Sequence, residues 1–315
     1  MSSMKLLYFV SNFAFALAIS NSSSVSIKVT DEFYYNSLNI AVYTRTWEPE
    51  NVDRIADVVF VHGQAEHVNR YNHVFTEFAR NGIKVHGFDQ VGCGRTGVRA
   101  KNLGGAMGMQ RVRIDIDDAI TRTYDRSTPL FLMGHSFGGA TILDYLTRGE
   151  RRDTLYGAIA SAPDLKVTQE MEPETVDFTA LLGTVPLNPQ AKVTVNIAYP
   201  YLSRNQTEGE IYRKDPMVFT KCSAVQALDL ILGGQHVTSG GYKDIKVSRL
   251  LIAHGTGDRI TYYPESMKLV RNLEAQGTPE TLKFITYPDA YHELHNDIIK
   301  NEVISDYIKW IKSQV

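Results

Sequence analysis

The stretch that decides the fold of this chain is LMGHSFGG, residues 132–139. It places Ser136 in a G-x-S-x-G pattern, between an apolar run that predicts a buried strand and a stretch that predicts a helix. Gly134 and Gly138 remove the side chains that would collide in so abrupt a turn. The pattern predicts a nucleophilic serine at the carboxyl end of a sheet, with a helix N-terminus behind it that favours negative charge. The alternative is a glycine turn with a purely structural role.

A serine nucleophile needs a base and an acid, and the sequence contains a candidate for each after the serine. Asp258 lies in a glycine-rich turn just past an apolar strand, and His292 lies in the loop after the next strand. Taken singly, Asp258 is also typical of a turn, and His292 is typical of a loop histidine that caps a helix. Asp289 is a competing acid that we interpret as a turn former. The order Ser, Asp, His is that of the α/β-hydrolases and differs from that of chymotrypsin or subtilisin. The sequence therefore predicts a catalytic triad of Ser136, Asp258 and His292.

Acyl transfer also needs two backbone N–H donors that stabilise the oxyanion of the tetrahedral intermediate. The residue directly after the nucleophile, Phe137, is expected to supply one of them. The other is expected from the loop after an early strand, and residues 56–61 form such a strand. The N–H of Gln64 in the following loop is the candidate.

Apolar strands alternate with helical stretches along most of the chain. Residues 25–30 and 38–46 alternate as an antiparallel hairpin, and the later succession is βαβ. The pattern predicts an α/β fold with a mainly parallel sheet and helices on both faces. The later apolar strands are residues 58–61, 85–88, 130–133, 158–161, 250–253 and 284–287.

The alternation of strands and helices stops in the middle of the chain, although many residues there are still apolar. We interpret residues 164–245 as an inserted helical cap over the active site, and residues 25–163 with 246–315 as the core. An apolar inner face would bind an acyl chain, and the outer face would contact a lipid surface. A long surface excursion is the alternative.

Four motifs stand out: HGQAEHVNRY (62–71), DQVGCGRT (89–96), LSRNQT (202–207, followed by Tyr212 and Asp215) and AYHELH (290–295). Together they resemble motifs of the monoacylglycerol lipase family. The likeness extends over about residues 28–313, and the wider group includes lysophospholipases and serine aminopeptidases. The resemblance implies an α/β-hydrolase that cleaves monoacylglycerols to glycerol and free fatty acid through an acyl-enzyme. A lysophospholipase, a broad carboxylesterase or a peptidase on the same scaffold remains an alternative, as does a hydrolase-fold binding protein without catalysis.

The same resemblance implies that Glu66, Arg70 and His295 line the polar end of the pocket and hold the glycerol hydroxyls. A site built to hydrogen-bond hydroxyl groups discriminates strongly against a substrate that lacks them, because the polar groups of the site are then left unpaired. The alternatives are a local ion pair of Glu66 with Arg70 and a surface position for His295. His62 is interpreted as a packed, hydrogen-bonded histidine and His67 as a support of the loop.

Three positions depart from the family pattern, and none of them is in the predicted triad. Ala65 stands where the family often has Gly, which bears on the path of the oxyanion loop. Cys93 stands where His is usual and bears on the wall of the substrate cleft. Thr96 replaces a usual Ser.

Composition excludes several classes of protein. The 315 residues are 43% hydrophobic and 22% charged, with a net charge of −2, which is ordinary for a globular protein and predicts no nucleic-acid partner. The sequence has no Cys/His cluster at metal-binding spacing, no G-x-G-x-x-G after a strand and no P-loop. We therefore expect neither a cofactor nor a metal. Composition does not indicate an oligomeric state.

The first 24 residues resemble a targeting segment. Lys5 precedes a mostly apolar run, residues 6–15, that is followed by the small-x-small sequence Ala16-Leu17-Ala18. The run is too short to span a bilayer as a helix. We interpret it as a secretory signal, which favours the secretory pathway or the extracellular space. The alternative is an intracellular protein associated with a membrane or a lipid droplet.

Overall fold

The computed structural model describes residues 25–168, 178–195 and 197–315. The predicted targeting segment, residues 1–24, and part of the predicted cap lie outside them. The strands are β1 (Ile27–Tyr35), β2 (Ala41–Pro49), β3 (Ala56–Val61), β4 (Ile83–Phe88), β5 (Leu130–His135), β6 (Gly157–Ser161), β7 (Lys192–Thr194), β8 (Lys221–Ser223), β9 (Arg249–Gly255) and β10 (Thr281–Tyr287). The helices are α1 (Asn72–Arg80), α2 (Gly94–Arg99), α3 (Met109–Thr123), α4 (Phe137–Arg148), α5 (Phe178–Leu187), α6 (Gln206–Lys214), α7 (Ala224–Leu232), α8 (Gln235–Thr238), α9 (Tyr263–Gln276) and α10 (Lys300–Gln314).

Eight strands form one sheet in the order β1-β2-β4-β3-β5-β6-β9-β10. The first two strands form the predicted antiparallel hairpin, and β2 pairs antiparallel with β4. The remaining neighbours are parallel. Every residue of β3, β5 and β6 is buried, which explains why these strands read as continuous apolar runs. The predicted α/β fold with a mainly parallel sheet is confirmed.

Helices cover both faces of this sheet because successive strand residues point to opposite sides. In β3, Val59 and Val61 pack in one core with α3, α4 and α9, while Val58 and Phe60 pack in a second core with α1 and α10. In α10 the buried residues recur at the spacing of one helical face. They are Val303, Ile304, Tyr307, Ile308, Trp310 and Ile311.

The chain between β6 and β9 holds α5 to α8 and a short antiparallel ribbon of β7 with β8. This segment has its own small apolar cluster, in which Leu181 of α5 packs with Cys222, Ala224 and Ala227. The helices agree with the expectation of a helical cap, whereas the ribbon was not predicted, because two strands of three residues are too short to show a period of two. The division into a core and a cap at residues 164–245 stays a prediction. Within the described ranges, no helix is long and apolar enough to span a membrane.

Candidate active site

Ser136 sits in a sharp turn between β5 and α4. Its backbone angles, φ 55° and ψ −122°, are ones that L-residues rarely adopt. A Cβ on Gly134 would lie 2.4 Å from the carbonyl oxygen of Gly138, and one on Gly138 would lie 2.2 Å from that of Val61. Neither position therefore accepts a side chain. The Ser136 N–H donates to the carbonyl oxygen of Ser161 at 3.0 Å, which fixes the turn to the neighbouring strand β6.

The structure brings Ser136, His292 and Asp258 together in one chain of hydrogen bonds. The Nε2 atom of His292 lies 2.8 Å from the Ser136 Oγ, and its Nδ1 lies 2.7 Å from an Asp258 carboxylate oxygen. All three residues are buried. Asp258 follows β9 and His292 follows β10, so the carboxyl ends of parallel strands deliver both side chains to the serine. This arrangement can remove a proton from the serine hydroxyl.

Several donors hold the Asp258 carboxylate in place. One oxygen accepts the backbone N–H groups of Ile260 at 2.8 Å and Thr261 at 3.0 Å. The other accepts the Thr261 hydroxyl at 2.9 Å and lies 3.1 Å from the Nε2 of His254. Burial would raise the pKa of Asp258, but the two imidazoles and the hydrogen bonds to them hold it well below its usual value. Asp258 therefore stays ionised beside His292.

His254 and Thr261 are contacts of the acid that the sequence interpretation missed. His254 is fully buried, and its Nδ1 lies 2.8 Å from the Ser266 hydroxyl of α9. Its place in the sequence HGTGD, four residues before the acid, was the available sign. This histidine is a positioning residue for Asp258, since it touches the carboxylate and not the serine.

Electrostatics favour the proton on His292 during the reaction. Burial would lower the pKa of His292, but the Asp258 carboxylate, its hydrogen bond and the nearby Glu293 and Asp164 outweigh burial and raise it. Burial raises the pKa of Asp164 to about 7, against the attraction of His292. The base is therefore stronger than a free imidazole.

The oxyanion loop passes directly beside the serine. A Cβ on Gly63 would lie 3.2 Å from the Ser136 Cβ, and Gln64 lines the small cavity at the serine. Among the described residues, the N–H groups of Gln64 and Phe137 make no hydrogen bond, so both are free to donate to a substrate oxygen. Their role as oxyanion donors stays a prediction. Ala65 has φ 60°, a left-handed conformation that the Gly often found there in the family would adopt more easily.

Histidines around this loop have the supporting places expected of them. His62 is fully buried, and its Nε2 accepts the Gln90 N–H at 3.1 Å. The His67 Nε2 lies 2.8 Å from the Asp215 carboxylate, which follows α6 in the predicted cap. Cys93 is buried and is not among the residues that line the cavity at the serine.

Arg70 is held by two buried carboxylates. One guanidinium nitrogen donates to Glu66 at 2.6 Å and to Glu293 at 2.7 Å, and a second donates to Glu293 at 2.9 Å. Glu66 also accepts the Gly63 N–H at 2.7 Å and the Tyr71 hydroxyl at 2.5 Å. The ion pair of Glu66 with Arg70, given above as an alternative, is therefore present, and Glu293 is a second carboxylate partner of Arg70. The second carboxylate was missed, although it directly follows His292 in the sequence.

The role of Glu66, Arg70 and His295 as glycerol contacts stays a prediction, and the structure shows where each of them lies. Glu66 lines the cavity at Ser136, but Arg70 and His295 do not. His295 is 2% exposed, so it is not a surface residue, and its ring stacks on Tyr71 with centroids 4.4 Å apart. Arg70 and His295 lie behind the cavity because both are packed against the loop that carries Glu66.

The two carboxyl groups that hold Arg70 have pKa values shifted in opposite directions. Burial and the nearby Glu293 raise the pKa of Glu66 despite Arg70. Burial would raise the pKa of Glu293 as well, but Arg70 and the hydrogen bond from Asn296 lower it. The Tyr212 ring of α6 covers the guanidinium of Arg70 at 4.7 Å, a cation–π contact that joins the predicted cap to the core.

No group of three or more His, Cys, Asp or Glu side chains that could hold a metal occurs within residues 25–168, 178–195 and 197–315.

Comparison with known proteins identifies the family. A family model described as Hydrolase_4, serine aminopeptidase S33, matches residues 53–299. A monoacylglycerol lipase of Mycolicibacterium smegmatis is 30% identical over 85% of this chain and 92% of its own. A Schizosaccharomyces pombe relative, whose name also refers to a monoglyceride lipase, is 32% identical over 85% of this chain and 69% of its own. The fold is similar to that of a soluble variant of monoglyceride lipase from Saccharomyces cerevisiae in complex with a substrate analog. The TM-score is 0.79 at 20% sequence identity, and the match covers 93% of this chain and 98% of that one. The chain therefore belongs to the monoacylglycerol lipase family of α/β-hydrolases, within the serine aminopeptidase S33 group.

Proposed function

We propose that this protein hydrolyses monoacylglycerols to glycerol and free fatty acid through an acyl-enzyme on Ser136. The observation that carries the proposal is the unbroken hydrogen-bond chain from the Ser136 hydroxyl through His292 to Asp258, with distances of 2.8 and 2.7 Å. Relatives named as monoacylglycerol lipases support the substrate class.

In acylation, His292 Nε2 takes the hydroxyl proton of Ser136 as the Oγ attacks the ester carbonyl carbon. The negative charge moves to the carbonyl oxygen, where the N–H groups of Gln64 and Phe137 would stabilise it, each by a factor of about 10² to 10³ in rate. The intermediate then breaks its bond to the alcohol oxygen. His292 returns the proton to that oxygen, and glycerol leaves.

Deacylation repeats the same steps with water as the nucleophile. His292 removes a proton from the water as its oxygen attacks the acyl carbon, and then returns that proton to the Ser136 Oγ as the fatty acid departs. Asp258 stays ionised throughout, holds the imidazole in the tautomer with a proton on Nδ1, and stabilises the imidazolium.

We also propose that the outer face of the predicted cap contacts a lipid surface, from which the substrate is taken. The support is apolar exposure: Leu187 at the end of α5 is 88% exposed, Leu182 is 45% exposed, and Ile211 of α6 is 53% exposed. A double variant, L182S with L187S, is expected to bind less to phosphatidylcholine vesicles in cosedimentation. Equal binding of wild type and variant would contradict this proposal.

Our proposal for location remains the secretory pathway or the extracellular space, with an intracellular protein bound to a membrane or a lipid droplet as the alternative. Its support is the sequence of residues 1–24. Amino-terminal sequencing of the mature protein tests it, because cleavage after a small residue near Ala18 is expected. An intact first residue on protein recovered from cells would favour the alternative.

A substrate panel tests the proposed reaction. Purified protein is incubated with monolauroylglycerol, lauroyl lysophosphatidylcholine and an aminoacyl amide, and release of fatty acid or amine is measured. We expect the highest kcat/KM on the monoacylglycerol. A higher value on the lysophospholipid or the amide would replace the substrate class but keep the triad, and no turnover of any of them would favour a binding protein without catalysis.

A further inference from the structure

A buried pair of amides joins the oxyanion loop to the predicted cap. The Gln226 side chain, on α7, donates from its Nε2 to the Oε1 of Gln64 at 2.6 Å. The two residues are 162 positions apart in the chain. Gln64 is 6% exposed and Gln226 is 1% exposed. The contact is therefore a specific, water-excluded link between two parts of the fold.

This pair leaves one donor group and one acceptor without partners. Among the described residues, the Gln64 Nε2 and the Gln226 Oε1 are buried and make no hydrogen bond. Exchanging the oxygen and nitrogen of both amides would still leave one NH₂ and one carbonyl oxygen free. Buried polar atoms without partners are costly, and in native proteins they are normally satisfied. The pair therefore has hydrogen-bonding capacity that no described residue uses.

One member of the pair, Gln64, adjoins the reacting atoms. Gln64 lines the cavity at the serine together with Ser136 and His292, and its backbone N–H is the candidate oxyanion donor. The carboxylates that line the same cavity are engaged: Glu66 and Glu293 both accept hydrogen bonds from Arg70. Gln64 thus brings the unused hydrogen-bonding capacity of the pair to the edge of this cavity.

A hydroxyl group matches this capacity, because it donates one hydrogen bond and accepts another. We propose that the Gln64 and Gln226 amides form a binding site for a hydroxyl group of the substrate close to the ester. The inference rests on the proposed ester hydrolysis and adds a specificity-determining site to it. The hydroxyl belongs either to the glycerol headgroup or to a hydroxylated acyl chain, and the experiment separates these two sources.

The test compares three esters of equal acyl length. Propyl laurate has no free hydroxyl, monolauroylglycerol has hydroxyls on the alcohol, and the propyl ester of alpha-hydroxylated laurate has one on the acyl chain. The variant is Gln226→Met, which has a similar shape but neither donates nor accepts strongly. The matched control is Gln235→Met, the same change at an exposed position of α8.

In the wild type, we expect kcat/KM on one hydroxylated ester to exceed that on propyl laurate by a factor on the order of 10 to 100. In Q226M this preference should fall about tenfold, whereas Q235M keeps it. Loss on the glycerol ester alone assigns the hydroxyl to the headgroup, and loss on the hydroxylated laurate alone assigns it to the acyl chain.

An unchanged preference for both hydroxylated esters in active Q226M would overturn the inference while leaving the proposed hydrolysis intact. Failure of the wild type to hydrolyse any of the three esters would overturn the proposed function itself, and this inference with it. If Q226M does not fold, Gln64→Met answers the same question, because it removes the amide and keeps the backbone N–H. The same fall in preference is expected, and an unchanged preference overturns the inference.

Discussion

Replacing Arg70 by Met tests whether the charge cluster behind the serine is structural. The Arg70 side chain is 6% exposed, and those of Glu66 and Glu293 are 3% and 2% exposed. The change removes hydrogen bonds of 2.6, 2.7 and 2.9 Å and leaves two carboxylates that are buried and repel each other. Removing one partner of a buried pair typically costs about 3–5 kcal/mol. We expect a loss of this size in the free energy of unfolding at neutral pH.

The pH dependence of the loss follows from the same contacts. Without Arg70, burial and mutual repulsion hold the folded-state pKa values of both carboxyls above their unfolded-state values. The folded variant then binds more protons than the unfolded chain, so its stability falls as the pH rises. The deficit of R70M against wild type is therefore expected to be larger at mildly alkaline pH than at mildly acidic pH.

Urea unfolding followed by circular dichroism measures this free energy at each pH. Arg213→Met is the control, because Arg213 makes an exposed ion pair with Glu210, with side chains 47% and 42% exposed. Little change is expected for R213M. The reasoning is refuted if R70M is as stable as R213M across this pH range, since the carboxylates would then not depend on Arg70.

Three further predictions concern the triad and the turn that carries it. Asp258→Asn should lower kcat by a factor on the order of 10⁴ with little change in KM, because the imidazole loses the partner that sets its tautomer. Steady-state hydrolysis measures both constants, and a loss of kcat below tenfold would contradict this role. In wild type, kcat/KM should fall as the pH drops through the raised pKa of His292. In D258N this acid limb of the pH profile should move to lower pH, because the carboxylate no longer raises that pKa. An acid limb at the same pH in both proteins argues against this cause. Gly138→Ala should cost about 3 kcal/mol or more in thermal or urea unfolding, since its Cβ would lie 2.2 Å from a backbone oxygen. The control is Gly183→Ala, where a Cβ meets nothing within 4 Å; equal stability of both variants would contradict this account of the turn.

The sequence predicts those parts of the fold that depend on patterns of neighbouring residues. Ser136 follows a buried apolar strand, and a Cβ on Gly134 or Gly138 would collide with a backbone oxygen. The order of Ser136, Asp258 and His292 then limits the topology to one that brings the carboxyl ends of parallel strands together. Local pattern and chain order therefore carried the prediction of the sheet and of the residues around the serine.

The polar contacts that the sequence did not predict are those that depend on how elements pack. Arg70 and Glu293 are 223 positions apart, and no local spacing relates them. Gln64 and Gln226 meet only because the predicted cap lies over the oxyanion loop. His254 is close to Asp258 in sequence, but its burial against α9 decides that it faces the carboxylate. The partners that were missed, Glu293, Gln226 and His254, look ordinary in the sequence and acquire their roles from burial.

The most direct test of the central claim is the reaction of Ser136 itself. Wild type and Ser136→Ala are treated with a fluorophosphonate, digested and analysed by mass spectrometry, and both are assayed on monolauroylglycerol. We expect one adduct on the peptide that contains Ser136, no adduct in the folded variant, and a loss of turnover on the order of 10⁴-fold or more in S136A. Labelling of another residue, or a folded S136A that keeps a substantial part of its activity, would contradict the assignment of Ser136 as the nucleophile.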